Sequence, residues 1–429
     1  MHHPALRPSR GLTQNAARAT ARPGGATRTR RGGTFASLAN RDFRYLLAGT
    51  MGMQVGSWSQ TIGQGWLVHV LTHSAFQLGL ISFIRGVAML AASPAGGLLS
   101  DLLDRRRVVI AGTLLAALNA LVLTLLVASG QVAVWHLYAL AAIDGAVNAV
   151  NQPARQALVY DVVGKDDLTN AVALSSVGGN LMRIIGPSLG GALIGTVGIA
   201  SCFLFQGVCY TLSAVVTLFI RPIDPLRQRA ASLVESLLGG FSYAIQHRVV
   251  LLLLLVAAVP SLLVYPYVGF VPVFASDVLH VGPFQYGVLM TAVGIGSIPG
   301  ALMAANMADP RGKGWLLLAT SAAYMTMIAA FASSPWFPLA FACLVAAGVA
   351  NSVQNTLNNT LIQLAVSDAY RGRVSALYFM TGGLTPFGSL AMGATIAALG
   401  PQPAVTAFAL SAAAVIAALS LTSPHLRRL

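Results

Sequence analysis

Three ionisable side chains of this sequence, Arg85, Asp144 and Arg183, lie inside long apolar runs. A charged group inside a membrane is costly, and such groups usually pair with one another or line the path of an ion or substrate. Asp144 is the only acidic residue well within an apolar run, so it is the candidate to bind and release a proton. We predict that Asp144 pairs with Arg183 at mid-depth and couples proton movement to conformation, with Arg85 as a further candidate. A static ion pair that fixes helix register is the alternative.

The apolar runs that hold these residues are long enough to cross a lipid bilayer. Only 9% of the 429 residues are charged, and the mean hydropathy is +0.72, far from the values of soluble proteins. A membrane-spanning helix needs about 20 apolar residues. The sequence predicts an all-α membrane protein with twelve spans, at about 45–70, 77–100, 108–128, 132–155, 169–195, 200–220, 249–276, 284–308, 314–333, 337–363, 372–398 and 402–421.

The positive charges predict the orientation of these spans. All but two of the 26 lysine and arginine residues fall in alternate gaps or at the two ends of the chain; Arg155, at the limit of span 4, is counted with Lys165 in the gap that follows it. Because cytoplasmic loops keep Lys and Arg and translocated loops avoid them, we expect both termini in the cytoplasm. The net charge of +14 is scattered over loops, which argues against nucleic-acid binding. The three cysteines have no metal-ligand spacing, and we expect neither a metal nor a cofactor.

The spans divide into two halves of six, residues 41–221 and 249–421. Residues 1–40 contain seven arginines and no acidic residue, which predicts a disordered cytoplasmic tail, with a transit peptide as the alternative. Residues 422–429 are expected to form a second cytoplasmic tail. Within the linker 222–248, apolar residues at helical spacing predict a short helix along the membrane surface: Leu233, Leu237, Leu238, Phe241 and Ile245.

A weak internal repeat relates the two halves. With a shift of about 200 residues, Gly145–Asn148 falls on Gly348–Asn351, in the fourth and tenth spans. Parallel repeats of this kind occur in transporters whose substrate site lies between two rocking halves. Chance similarity between helices rich in alanine and glycine is the alternative.

Two sequence motifs carry a family resemblance. Between spans 2 and 3, a glycine pair is followed by an acid and three arginines, and this pattern resembles the loop motif of the major facilitator superfamily, with Leu102 and Asp104 as departures from it. The resemblance implies a cytoplasmic gate, in which Asp101 would meet the start of span 11 when that side closes. The residues of the expected gate are Gly97, Asp101, Arg105, Arg106, Arg371 and Arg373.

The second motif runs from Asn151 into span 5. It resembles the branch of the superfamily that includes the enterobactin exporter and macrolide efflux proteins. Its part on span 5 resembles the motif associated with drug–proton antiporters, although Met182 stands where the wider form of that motif has glycine. Small residues on span 5 allow close helix packing, and a proline offers a kink. These residues are Gly186, Pro187, Gly190 and Gly191; Gly195 continues their spacing.

In the superfamily, helices 1, 4, 7 and 10 line the substrate cavity, and the same spans carry polar residues here. On span 4, Asp144, Asn148, Asn151 and Arg155 follow at steps of four, three and four, which predicts a polar stripe on one face of the helix. His69 and His73, near the outer end of span 1, are expected at the membrane interface, with a proton relay as the alternative. The expected cavity residues are Gln54, Trp58, Gln64, Asn148, Asn151, Tyr265, Tyr267, Asn351 and Asn355.

The resemblance implies a secondary transporter rather than an enzyme, and the sequence contains no nucleotide-binding loop that would indicate ATP as the energy source. We expect a monomer in the bacterial inner membrane that exports small amphipathic organic molecules, of drug or siderophore type, in exchange for protons. Import, lysolipid or sugar transport, sodium coupling and a transport-dead sensor are the alternatives.

Overall fold

The computed structural model of the protein describes residues 35–221, 233–306 and 312–422, and every regular element within them is helical. The helix Leu233–Gln246 lies in the predicted linker, and we call it the linker helix. The long helices are α1 Arg41–Thr72, α2 Ala75–Leu102, α3 Arg105–Ala128, α4 and α5 as the two parts of Val134–Thr196, α6 Ala200–Leu218, α7 Arg248–Val278, α8 Pro283–Ala305, α9 Lys313–Ser333, α10 Phe337–Ala365, α11 Arg371–Leu399 and α12 Pro401–Thr422.

Helices α4 and α5 form one helical run that breaks at Gly164. This glycine has a φ of 71°, which residues with a side chain rarely adopt. Helix α4 therefore covers residues 134–163 and α5 covers 165–196. The sequence predicted the gap earlier, after residue 155, so the loop position predicted for Arg155 is wrong: Arg155 lies within α4.

Nine helical segments of the described chain are long and apolar enough to cross a membrane. Helices α1, α4 and α5 are not among these nine, because amides, hydroxyls and charged residues interrupt their apolar runs. Each of the three has the length that a span requires. The total of twelve spans stays a prediction.

Helix α7 is irregular at the depth where its tyrosines lie. It passes through a 3₁₀ turn at Tyr265–Phe270 and a π turn at Phe274–Val278. Pro266 and Pro272 cannot donate a backbone hydrogen bond, which explains a break in the regular ladder. Broken backbone within a membrane is tolerated where it lines a cavity or is buried in protein.

Contacts of glycines support the internal repeat. A Cβ added to Gly145 on α4 would lie 2.1 Å from the carbonyl oxygen of Arg85 on α2, and one added to Gly348 on α10 would lie 2.3 Å from that of Val293 on α8. Corresponding glycines thus bring corresponding helix pairs together in the two halves. The reciprocal contacts follow the same pattern: Gly96 with Ala149, and Gly300 with Val349.

The two halves, α1–α6 and α7–α12, are joined mainly by two helix pairs, α2 with α11 and α5 with α8. Gly79 lies against the backbone of Ser389, and Gly191 lies against the backbone of Pro283. Both contacts lie near helix ends that carry no arginine. We call this the arginine-poor end, defined by Thr72, Ala75, Ala128, Val134, Thr196, Ala200, Val278, Pro283, Ser333, Phe337, Leu399 and Pro401, and the opposite end the arginine-rich end.

The arginine-rich end is open. The ion pairs described there stay within one half, as with Arg105 and Asp161, and none of the described ion pairs joins the halves at this end. Gln54 and Asn355 are exposed although they lie in the middle of long helices. The halves therefore meet at one end and diverge toward the other.

The predicted tail begins to fold before α1. Ala36–Ala39 form a 3₁₀ turn, the Ser37 backbone N–H donates to Asn170 Oδ1 at 3.0 Å, and Asn40 Nδ2 donates to the Val162 carbonyl at 2.9 Å. The disorder predicted for residues 1–40 therefore does not extend to 35–40. Three predicted segments lie outside the described residues: 1–34, 222–232 and 423–429. The side chains of the linker leucines are also outside them. The position of the linker helix on the membrane surface stays a prediction.

The small residues predicted on span 5 lie at two interfaces of α5. An added Cβ would lie 2.5 Å from Trp58 Cβ at Gly186 and 3.1 Å from Ile62 Cβ at Gly190, both on α1. At Gly191 it would lie 2.6 Å from the carbonyl oxygen of Pro283, on α8 in the other half. The Pro187 carbonyl faces Gly287 on α8. Gly195 has no such neighbour within 4 Å, so it does not share the packing role suggested by its spacing.

Gly191→Ala should destabilise the protein by about 1–3 kcal/mol, because its methyl group would meet backbone that cannot easily move. Gly195→Ala, the matched control on the same helix, should be neutral or stabilise by up to about 1 kcal/mol. The free energy of unfolding in an SDS titration is the measurement. Equal effects of the two substitutions would contradict the packing role.

Candidate functional site

Asp144 pairs with Arg85, so the predicted partner Arg183 is wrong. Arg85 Nη2 lies 2.9 Å from Asp144 Oδ2; the carboxyl side chain is 4% exposed and the guanidinium side chain 36%. Each residue lies ten positions from the arginine-poor end of its helix, which is about 15 Å along the axis. The close contact at Gly145 brings the two backbones together at this depth. The pair therefore joins α2 to α4 within the first half.

Arg183 faces the space between the halves. Its guanidinium carbon lies 5.9 Å from the centre of the Trp58 ring. Together with Tyr267 it lines a cavity of about 40 Å³ whose walls come from both halves. Arg183 shares a face of α5 with Pro187 and Gly191, and that face meets α1 and α8. A similar depth for Arg183 and Asp144 could be predicted from sequence, but depth does not determine the direction in which a side chain points.

A second cavity, of about 90 Å³, lies among α1, α4 and α6. Three of the predicted cavity residues, Gln54, Asn148 and Asn151, line it. Asn148 Nδ2 donates to the Asp144 carbonyl at 2.9 Å, and Asn151 Nδ2 donates to Thr113 Oγ1 at 3.2 Å. We call this space the first-half cavity. Its polar walls place it on the predicted stripe of α4.

Arg155 also lines the first-half cavity and is only 7% exposed. The sequence included it in the polar stripe of span 4 but placed it in a loop. Thr50, Ser57 and Tyr210 also line the cavity, as do Met53 and Gln152, and none of the five was a predicted cavity residue. Thr50 and Ser57 lie four and three residues from Gln54, so they share its face of α1, and this spacing was the available signal for both. Tyr210 shares one face of α6 with Gln206, Ser213 and Thr217, at steps of four, three and four, and this polar stripe was the available signal for it.

The second half has its own polar cluster on α7 and α10. The Tyr265 hydroxyl accepts hydrogen bonds from Asn351 Nδ2 at 2.8 Å and from Asn355 Nδ2 at 3.2 Å. Tyr267 is 2% exposed and belongs to the cavity of Arg183. Gln64 is half-buried on α1 and lines neither of the two cavities.

A titratable contact joins the halves at the arginine-poor end. His69 Nε2 on α1 lies 3.2 Å from Asp277 Oδ1 on α7, and His69 is 3% exposed. Trp66 stacks on Tyr286 of α8, with ring centres 5.9 Å apart. The ring of His69 is buried between α1 and α7 near the end of α1, and the expected position of His69 and His73 at the membrane interface stays a prediction. No sequence pattern indicates Asp277 as the partner of His69.

The arginines of the expected gate bind within their own halves. Arg105 Nη1 donates to both carboxylate oxygens of Asp161 at 2.9 Å. Arg106 Nη2 donates to the Leu218 carbonyl at 2.6 Å, which satisfies a group that the end of α6 leaves unpaired. Gly97 is half-buried on α2, and the side chain of Asp101 lies outside the described ones.

In the second half, Arg371 Nη2 lies 2.6 Å from Asp368 Oδ1, and Arg373 lies over the Tyr370 ring. Arg373 also contacts Gly239 and Gly240 of the linker helix. Because the arginine-rich end is open, a contact between Asp101 and the start of α11 stays a prediction for the closed form of that end.

Residues 32–429 match the family described as "transmembrane secretion effector" within the major facilitator superfamily. Two curated relatives extend over most of the chain. The staphyloferrin A transporter of Staphylococcus aureus is 25% identical over 358 residues, which cover 81% of this chain and 88% of the relative. The enterobactin exporter EntS of Shigella flexneri is 25% identical over 311 residues, which cover 72% of this chain and 74% of the relative.

Solved structures show the fold. The nucleoside transporter NupG superposes with a TM-score of 0.74 at 14% identity and covers 89% of this chain and 99% of its own. A bacterial homologue of the human lysosomal transporter Spinster, in an inward-facing and unoccupied conformation, gives 0.71 at 15% identity and covers 91% and 99%. The chain therefore has the major facilitator fold and is a multi-pass membrane protein.

A double-mutant cycle should confirm the partner of Asp144. Arg85→Gln and Asp144→Asn should show a coupling energy of about 1 kcal/mol, at the low end for a contact pair because Arg85 is partly exposed. Arg183→Gln and Asp144→Asn should add independently, within about 0.5 kcal/mol. Unfolding free energies from SDS titration provide the cycle. Coupling to Arg183 without coupling to Arg85 would reverse the assignment.

Proposed function

We propose that this chain, which belongs to the transmembrane secretion effector family of the major facilitator superfamily, exports small amphipathic organic molecules of drug or siderophore type in exchange for protons. The protein is a secondary transporter, and it would act by alternating access as a monomer. Its location would be a bacterial inner membrane.

The observation that carries the proposal is a polar space that reaches one end of the helix bundle only. The halves pack closely at the arginine-poor end through α2 with α11 and α5 with α8. Toward the arginine-rich end lie the exposed amides of Gln54 and Asn355. Such an arrangement supports transport, because opening one end while closing the other moves a bound molecule across the membrane.

The aromatic and amide groups of this space support an amphipathic substrate. Trp58 and Tyr267 offer ring faces beside the guanidinium of Arg183. Asn351 and Asn355 offer hydrogen bonds from the other half. Binding sites of this kind are mainly apolar and contain a few placed polar groups that fix orientation.

The positions of the arginines support an orientation of the protein, and the relatives support a direction of transport. If the arginine-rich end faces the cytoplasm, as the distribution of positive charge favours, the structure is open to the cytoplasm and both termini are inside. A cytoplasmic opening lets an exporter load its substrate. The family description and the exporter among the relatives support export for this chain as well.

Asp144 is the proposed proton-binding group. Its carboxyl group lies at mid-membrane, nearly buried, and its partner Arg85 is partly exposed. A movement of α2 relative to α4 would separate the arginine from the carboxyl group, and proton uptake would accompany that separation. The contact of His69 with Asp277 is the second titratable pair, and its position between the halves would make it sensitive to opening of the arginine-poor end.

Proteoliposomes test the proposal. The measurement is the internal pH of liposomes that contain the protein, after addition of each compound of a panel of siderophores, dyes and antibiotics. We expect at least some of these compounds to cause proton movement across the membrane. A sodium gradient in place of the pH gradient should not drive uphill transport of these compounds. Absence of substrate-linked proton movement for every compound, with sodium-driven transport instead, would overturn proton exchange.

Asp144→Asn should abolish uphill transport driven by a pH gradient and leave downhill exchange largely intact, because the amide keeps size and polarity but cannot exchange a proton. Asp166→Asn, an exposed acid at the start of α5, is the matched control and should transport normally. Full uphill transport by a well-folded Asp144→Asn protein would exclude this residue as the coupling site and direct attention to His69.

A further inference from the structure

Arg155 is a buried cation without an anionic partner among the described residues. Its Nη1 donates to Thr50 Oγ1 at 3.0 Å, and its Nη2 contacts Thr113 Oγ1 at 3.4 Å and the Met53 sulfur. All three groups are neutral, and the Nε atom has no hydrogen-bond partner. No described carboxylate lies within 4.0 Å of this guanidinium, whereas Arg85 has Asp144.

Such an arrangement is costly if it is permanent. Burial of an uncompensated charge costs several kcal/mol even after relaxation of the surroundings, and neutral hydrogen bonds recover only part of it. Exposed arginines at the arginine-rich end would have no such cost. The burial of Arg155 therefore indicates a group that is present during part of the transport cycle and carries negative charge.

The first-half cavity has the size and lining for such a group. Its volume of about 90 Å³ leaves room for a carboxylate group. Asn151 Oδ1 is buried there without a hydrogen-bond partner and can accept from a hydroxyl or N–H of the same ligand.

A second cation, Arg183 of α5, lies beside the next part of α1. Ser57 lines the first-half cavity, and the next residue, Trp58, lines the cavity that contains Arg183. Arg183 also has no carboxylate within 4.0 Å among the described residues. Each of the two cavities thus contains one arginine without a described carboxylate partner, and the cavities meet α1 at the adjacent residues Ser57 and Trp58. Both positive charges favour an anion.

We propose that Arg155 binds a carboxylate of the transported molecule in the first-half cavity, so that the substrates are organic anions. This inference rests on the proposed transport function and specifies its substrate class. Arginine suits the role because its planar fork can hold both oxygens of a carboxylate, with Nε available as a donor. Arg183 would bind or attract a second anionic group as the molecule passes between the halves.

A purely structural role is the competing explanation, since Arg155 also connects α4 to Thr50 of α1 and Thr113 of α3. The two roles differ in their response to ligand charge. A structural arginine would affect folding but would not distinguish a carboxylate from its amide. If Arg155 binds the ligand, removal of its charge would abolish the preference of the protein for the carboxylate over the amide.

Ligand-induced thermal stabilisation of the purified protein in detergent tests the inference. The probes are matched pairs, benzoate with benzamide and hippurate with its primary amide, and sodium chloride at equal ionic strength. We expect the carboxylates to raise the melting temperature in a saturable manner, and the amides and chloride to have little effect. Equal stabilisation by carboxylate and amide, equal stabilisation by chloride, or no response to any carboxylate would overturn the proposal.

Variants locate the effect at Arg155. Arg155→Gln should weaken the carboxylate response at least tenfold in apparent affinity, and Arg155→Lys should retain part of it because the charge remains. Arg44→Gln, the same substitution at an exposed site on α1, is the matched control and should respond as the parent protein does. If Arg155→Gln does not fold, Arg155→Lys decides: an unchanged carboxylate response at full strength contradicts a bidentate contact.

Transport assays separate this inference from the proposed function. Transport of neutral and anionic panel compounds with equal efficiency would overturn the anion preference and leave the transporter assignment intact. Carboxylate binding by Arg155 without movement of any panel compound would support the binding site and count against transport of drug- or siderophore-type molecules.

Discussion

Close approach of helix backbones at glycine positions is the interaction on which this structure depends. Inside a bilayer the lipid is as apolar as leucine, so helices associate through tight packing rather than through the hydrophobic effect. Gly145 and Gly348 provide that packing inside each half, and Gly79 and Gly191 provide it between the halves. The contacts between halves lie toward the arginine-poor end. Separation of the halves at that end therefore breaks the glycine contacts between them and leaves the glycine contacts within each half intact.

Charges inside the membrane follow from this packing. Where α2 and α4 approach at Gly145, Arg85 and Asp144 stand side by side and neutralise each other. Arg155 lies farther along α4, where its described neighbours are hydroxyls, a thioether and amides. One arginine is thus balanced by the protein itself, and the other is free of described carboxylates. The proposed proton site and the proposed anion site are accordingly two different positions on one helix.

The sequence predicts the helices well and the pairing of side chains poorly. The limits of α12, for example, lie within one residue of the predicted span 402–421, because length and hydropathy determine where a helix can cross. The partner of Asp144 depends on the direction in which each helix faces, and that direction follows from glycine contacts between segments distant in sequence. Arg155 was placed in a loop because arginine usually marks loops; only the position of the break at Gly164 shows that α4 continues beyond it.

The central claim is that the two ends of the bundle open in alternation. Spin labels at Val197 and Trp336, both exposed at the arginine-poor end, and at Asp166 and Leu364, toward the arginine-rich end, report this directly by electron–electron distance measurements in lipid nanodiscs. Addition of a transported compound should lengthen the first distance and shorten the second. Distances that change in the same direction at both ends, or at neither end in a protein that transports, would contradict alternating access.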